Sequence, residues 1–230
     1  FSKLAAHQER LIIDSSNGCP SNCLHILEKR INSNQAVNDL NWLRLRNWRE
    51  TLAMVFDPPI RRTDLENISS LDIDIQGNHP VQGILLAAWI ADRLNWEISK
   101  AKFIEKDIME TKFNDQNQKE ITFRLHFLPI GLPSIHPGQI IGLRLICKSN
   151  KNNNNDKCII LASESSECMR LEAGGMASME LIEEVVPLED ISIEKDVARL
   201  LRTSRGSTSP LLSRAAPIAS NILKSAKTSK

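Results

Sequence analysis

The chain has 230 residues with 29 basic and 28 acidic side chains, which admits one large domain or two small ones and excludes a bulk electrostatic field toward nucleic acid. Apolar residues at 41% and charged residues at 25% sit near the soluble globular average, so a sizeable core is expected and general disorder is excluded. The longest apolar candidate, Val81 to Leu94, contains Gln82, Asp92 and Arg93 and falls short of the ~18 residues of a spanning helix, so no membrane-spanning helix is expected.

Arg10 to Asp14 is an apolar run closed by Ser15, Ser16, Asn17 and Gly18. It reads as a buried parallel strand feeding a turn, with its sheet partners expected upstream of Phe1. Pro20 opens a predicted helix to Ile31, since proline suits a first helical turn and Leu24, Leu27 and Ile31 recur at helical spacing. After the polar stretch Asn32 to Asn38, Asp39 is the N-cap of a second helix reaching Phe56. Trp42, Leu45, Trp48, Leu52, Val55 and Phe56 form its apolar stripe, and Pro58 and Pro59 stop it.

Leu71, Ile73 and Ile75 alternate with Asp72, Asp74 and Gln76, the pattern of a strand with one wet face. Val81 to Ile90 is apolar at almost every position and predicts a central helix buried on most sides. Glu120 to Ile130 alternates again. Gln139 to Cys147 and Cys158 to Ala162 read as antiparallel strands joined by the asparagine-rich loop Ser149 to Lys157, and Glu167 to Glu172 and Met179 to Val186 add strand candidates. The sum is an α+β fold, a largely antiparallel sheet packed with helices and preceded by the end of an N-terminal α/β domain. Asp190 to Arg202 is the last predicted helix. The expected division is 1–56 for the end of the first domain and its linking helices, 57–203 for the α+β domain, and 204–230 for a basic, serine-rich, loosely ordered tail. From Val197 onward the chain carries seven cations and no acidic residue, leaving the remainder at −6.

The motifs of nucleotide binding, acyl transfer and zinc hydrolysis do not occur, so no catalytic residue, cofactor or metal is assigned. Cys19, Cys23 and His25 lack a fourth ligand at a recognisable spacing. His7, His25, His79, His126 and His136 stand apart in sequence and read as surface or hydrogen-bonded residues. Asp72 and Asp74 could hold a cation or do acid/base work, but the favoured reading is a solvated strand face. Arg44, Arg46 and Arg49 beside Trp42 and Trp48 mix cationic and aromatic surface as interfaces do, and they are the candidate partner-binding residues. Gly174 and Gly175 read as a turn, with a bulge as the alternative. The five cysteines make no secreted disulfide framework, and with no signal peptide evident a reducing cytoplasm is expected. Phe1 reads as a start inside a longer protein. Cys147 and Cys158, or Cys158 and Cys168, could lie across neighbouring strands as redox pairs, against the alternative of free thiols.

Taken together, Leu11-Ile12-Ile13-Asp14-Ser15-Ser16, Asp39-Leu40-Asn41-Trp42 continuing to Trp48-Arg49, Phe56-Asp57-Pro58-Pro59, Trp89 through Trp96, and Cys168 through Gly175 resemble the OpcA family, the glucose-6-phosphate dehydrogenase assembly proteins, in cyanobacterial form. The match runs in the family's order over roughly Arg10 to Arg202. What it implies is a non-catalytic, cytoplasmic activator that binds glucose-6-phosphate dehydrogenase, promotes its active oligomer and favours the oxidative pentose phosphate pathway. It also implies thioredoxin as a partner acting through cysteines, without identifying the pair. The alternative reading is a nucleic-acid-binding module using the basic C-terminal segment and the Arg/Trp helix, weakened by the acidic remainder.

Overall fold

The computed structural model describes residues 10–129, 138–148, 156–163, 168–175, 182–187, 193–202 and 208–228. His7, His136, most of the asparagine-rich loop and the start of the last predicted helix at Asp190 lie outside the described residues.

Strand β1 (Arg10–Ile13) pairs in parallel with β2 (Ala36–Asp39), with Leu11 opposite Val37. Its described partner lies downstream, within the stretch read as polar. Helix α1 (Pro20–Asn32) joins them, with Leu24 and Leu27 buried and Pro20 in the first turn, where its missing N–H costs nothing. The Arg30 guanidinium is buried and donates to the Ala36 carbonyl at 3.1 Å, tying the end of α1 to β2.

Asp39 caps the next helix as expected, its carboxylate accepting from the Asn41 amide at 3.2 Å. The predicted single helix is two, α2 (Leu40–Arg44) and α3 (Arg46–Phe56), broken at Leu45. At the break the Leu45 amide donates to the Trp42 carbonyl at 3.3 Å, a tightened turn, and the Arg49 guanidinium reaches back to the Trp42 and Leu45 carbonyls at 3.4 and 3.3 Å. A short helix α4 (Pro59–Arg62) and a 3₁₀ turn (Thr63–Asn67) lead into the main sheet.

That sheet has eight strands: β3 (Ile68–Gln76), β4 (Glu97–Glu105), β5 (Ile108–Asn114), β6 (Glu120–Leu128), β7 (Ile140–Cys147), β8 (Lys157–Ser163), β9 (Cys168–Gly175) and β10 (Ile182–Pro187). Their spatial order is β10-β9-β8-β7-β3-β6-β5-β4, antiparallel throughout except for the β3–β6 pair. The parallel pair exists because α5 (Val81–Leu94) crosses over from β3 before the β4–β5–β6 meander returns. Gly174 and Gly175 are paired strand residues opposite Cys158 and Lys157, not a turn.

One face of the sheet holds Leu71, Ile73 and Ile75 of β3, Phe123 and Leu125 of β6, and Leu143 and Leu145 of β7, all buried. Helix α5 lies on this face and is buried from Val81 to Ala91. Gly83 lets the helix sit this close to the sheet, since a Cβ there would displace the Leu125 side chain. Asn95 ends the helix in the left-handed conformation at φ 53°, letting the Trp96 amide donate back to Ala91. The fold is thus α+β, as the alternation of strand and helix patterns required.

The expected loose tail is corrected over Pro210–Thr228, which forms a 19-residue helix, α7. Leu212, Ala215, Ala216, Ala219, Ile222, Leu223 and Ala226 recur three and four apart and are all buried. Small residues let this helix approach α5, α1 and β4 closely. Serine content and positive charge do not reveal this stripe, and one of the serines, Ser220, is itself buried. Helix α6 (Ile193–Arg202) precedes it.

Candidate functional site: a latched polar seam and an open groove

Where β1 ends, the chain turns through Asp14, Ser15 and Ser16, and the two serines are fully buried. Buried hydroxyls need partners. Ser15 donates from its amide (2.9 Å) and its hydroxyl (2.6 Å) to the Asp39 carboxylate, which is itself enclosed. Asn41 donates to the Ser15 hydroxyl at 3.2 Å, Gln82 donates to Asn41 at 2.9 Å, and the Ile140 amide donates to Gln82 at 2.8 Å. This relay latches the β1–β2 unit to α5 and to the start of β7. Burial pushes the Asp39 carboxyl up to about 6, against the lowering by its Ser15 and Asn41 hydrogen bonds.

Asp14 is held in the opposite sense. Partial burial acts to raise its pKa, but hydrogen bonds from Arg44 and Ser16 and the Arg44 charge outweigh it and hold the carboxyl well below the usual carboxylate range. Arg44 meets Asp14 with both terminal nitrogens, at 2.8 and 2.9 Å, so its fork is spent inside the chain. Arg49 lies 3.8 Å over the Trp42 ring, largely buried, and burial lowers its pKa to about 10. Of the three arginines singled out by sequence, Arg46 is therefore the one facing outward, in a loose pair with Glu50 at 3.8 Å.

Beside α3 a groove of about 420 Å³ opens between α3, α5 and the 3₁₀ turn. Leu52, Phe56, Leu65, Trp89, Ile90 and Leu145 line it, with Arg62 and Arg93 among its polar residues. Met54, 55% exposed, stands on the same helix. Sequence reading placed Leu52 and Phe56 in the core without finding this groove, because their helical stripe is partly shared with open space.

Asp72 is nearly buried and lies 3.6 Å from Arg124 and 3.7 Å from His126, which corrects the solvated-face reading for this carboxylate. The expected cysteine pairings are corrected as well. Cys158 is opposite Ile146, one residue out of step with Cys147, so the two side chains leave opposite faces of the sheet. Along β9 the position opposite Cys158 is Gly174, six residues from Cys168, or roughly 20 Å at strand rise. Neither link can form in this register. Cys147 is buried and its thiol is pushed up to about 12 by desolvation, a poor nucleophile. Among the described residues no cluster of three or more His, Cys, Asp or Glu could hold a metal, and no helix is long and apolar enough to cross a membrane.

The C-terminal cations are partly committed to internal contacts. Lys224 and Ser220 converge on Glu28 at 2.6 and 2.7 Å, and Arg214 meets Asp92 at 2.8 Å. Partial burial opposes the shift, but Lys224 and Ser220 hold Glu28 below its ordinary pKa.

Comparison with known proteins places this architecture. Residues 35–216 match the family model described as the C-terminal domain of a glucose-6-phosphate dehydrogenase subunit. A protein of Synechococcus elongatus named "Putative OxPP cycle protein OpcA" is 35% identical over 190 residues, 81% of this chain and 42% of that protein. The protein of the same name from Synechocystis sp. is 32% identical over 88% of this chain and 42% of its own length. The chain thus spans about two fifths of the length of the curated relatives it matches. Among solved structures, a mutant of the 3-ketoreductase KijD10 from Actinomadura kijaniata superposes with a TM-score of 0.60 at 10% identity, covering 99% of this chain and 71% of that one. UDP-N-acetylglucosamine 3-dehydrogenase from Acidithiobacillus ferrooxidans gives 0.52 at 6% identity over 95% and 71%. At such identities the likeness is one of fold alone. Because the family model matches most of this sequence, the chain belongs to the OpcA family, through its C-terminal domain.

Proposed function

We propose that this chain is the C-terminal part of a non-catalytic factor that binds glucose-6-phosphate dehydrogenase and favours its active oligomer, feeding the oxidative pentose phosphate pathway. The observation that carries the reading is the family match over residues 35–216, in agreement with the pathway in the relatives' names. The physical arrangement supports it. Asp14, Ser15, Asp39, Arg44 and Gln82 are engaged with one another, as suits a scaffold, while the outer edge of α3 offers Arg46, exposed Met54 and an adjoining apolar groove. Exposed apolar surface rimmed by charge is what a protein partner buries. Activation then follows from tighter binding to the dehydrogenase's active assembly, and a tenfold shift needs only ~1.4 kcal/mol of differential affinity.

The test is co-elution with purified dehydrogenase and an activity assay at low substrate. A lowered apparent substrate requirement, with no turnover by this chain alone, is the expected result. No co-elution and unchanged kinetics across a concentration series would defeat the reading.

A further inference from the structure

The face of the sheet turned away from α5 carries charge in register. Across seven strands one row runs Lys102 (β4), Glu110 (β5), Arg124 (β6), Asp72 (β3), Arg144 (β7), Ile160 (β8) and Glu172 (β9). From β4 to β7 the signs alternate at every strand. Inside the chain Glu110 lies 4.0 Å from Lys102 and 3.4 Å from Arg124, and Arg124 lies 3.6 Å from Asp72. Arg144 is exposed and makes no ion pair among the described residues, and neither does Asp74 in the next row.

A second copy laid face to face, on a two-fold axis parallel to the strands and above the β3–β6 line, reverses the order of strands and leaves each row at its own height. Asp72 then faces Arg124 of the other copy, and Arg144 faces Glu110. In the neighbouring row Asp74 faces His126, Gly142 faces Ile108, and Ala162 faces Glu105. In the row on the other side Ser70 faces Thr122, Ile146 faces Lys112, and Cys158 faces Lys100. Like charges meet nowhere in these three rows, and Arg144 and Asp74, which lack an ion pair inside the described chain, gain Glu110 and His126 as partners. Moving the axis over β3 sets Arg124 against Arg144. Over β6 it sets Asp72 against Glu110, between β7 and β3 Glu110 against Glu172, and between β6 and β5 Asp74 against Glu105. An axis across the strands sets each charge against its own copy when it lies over the row, Asp72 against Asp74 when it lies between that row and the next, and Lys102 against Lys100 when it lies on the other side. Stacked sheets stand ~10 Å apart, a gap that long charged side chains from both faces can span.

From this self-complementarity we infer that the outer sheet face is a homodimer interface, occupied by a second copy of this chain paired about the β3–β6 line. The inference rests on the sheet register alone and is independent of the dehydrogenase reading. The contact is polar, so it assembles through matched charge and bridging water and weakens with salt.

Sedimentation equilibrium of the chain across a wide concentration series, at low and high ionic strength, is the test. A dimer at low salt that loosens at high salt is expected. R144E and E110R should each weaken it by about tenfold or more, because each sets like charges face to face. Mixing the two variants restores both contacts, since each reversed side chain then meets the opposite sign on the other copy, so a heterodimer of near-parental affinity should form. R144Q, which only removes the charge from an exposed site, gives a milder loss and guards against misfolding of the reversals. A parent chain that stays monomeric at every concentration overturns the inference, as does a dimer indifferent to R144E, E110R and R144Q. A monomeric parent whose R144E variant instead loses dehydrogenase binding would assign the face to that partner and likewise overturn self-pairing.

Discussion

Gln82 donates to Asn41 across 2.9 Å while its other amide atom accepts from the Ile140 backbone, so one buried side chain on α5 joins α2 to β7. The segments it connects are 41 and 58 residues away in sequence. This contact makes the β1–β2 unit and the large sheet one packed body at this seam.

Replacing Gln82 with Leu keeps the volume but strands the Asn41 carbonyl oxygen and the Ile140 N–H without partners in a dry site. Each unpaired buried group costs ~1–3 kcal/mol, so for the two groups stability should fall by about 2–6 kcal/mol. Urea unfolding should show a lower midpoint with an unchanged slope. An unaltered midpoint would mean that water replaces the amide.

Asp39 should confer an inverted pH dependence. Its carboxyl sits at about 6 in the folded protein against an ordinary value of 3.8, so between those limits the folded state binds the proton more tightly than the unfolded state. Its contribution therefore favours folding as pH falls from about 6 toward 4 and is lost as pH rises through 6. The span is at most ~3 kcal/mol at 1.36 kcal/mol per unit. Asp14 acts in the opposite direction at lower pH, its depressed carboxyl losing stabilisation as acid protonates it. Unfolding free energies measured through this range should lose the Asp39 component in Asp39→Asn. An identical profile in the variant would refute the assignment.

The arginines of the tryptophan helices should separate into structural and surface roles. Arg49→Ala removes the stacking on Trp42 and two bonds to backbone carbonyls, a loss of about 1–3 kcal/mol. Arg46→Ala should cost less than Arg49→Ala, because the half-exposed Arg46 pairs loosely with Glu50 at 3.8 Å. Arg46→Glu combined with Met54→Glu should weaken association with the dehydrogenase while leaving the melting curve in place. Retained affinity in that double variant would remove the α3 edge from the contact surface.

Helix α7 should tolerate change only on its outer side. Ala219 is fully enclosed, so Ala219→Leu forces side chains apart and should cost ~1–3 kcal/mol, whereas Asn221→Ala at an exposed position should be nearly neutral. Equal melting temperatures for the two variants would show that α7 does not pack as described.

Local pattern was enough for much of this molecule. The Asp39 cap, the all-round burial of α5, the alternating strands β3 and β6, and the β7–β8 pairing follow from periodicity and capping chemistry carried within a few residues. The α+β class follows from their order. Two of the motifs that pointed to the family, at Asp39 and at Trp89 through Trp96, lie in these same segments.

Long-range pairing decided the rest. Edge strand β4 and its neighbour β5 put Lys100, Lys102, Glu110 and Lys112 on the outer face, so their sequence looks like a polar connection until neighbours supply the ladder. More than half of the buried stripe of α7 is alanine, which signals burial only once another helix is close enough to need it. Cys147 and Cys158 look symmetrical about their loop, yet a one-residue offset in register turns them to opposite faces. Arg44 and Arg49 offer charge to any partner when read from sequence, and Asp14 and Trp42 take it up in the fold. Sequence alone determined which residues are apolar, charged or able to cap; register and packing determined which of those charges meet, because a period of two or of 3.6 specifies a face but not what lies across from it.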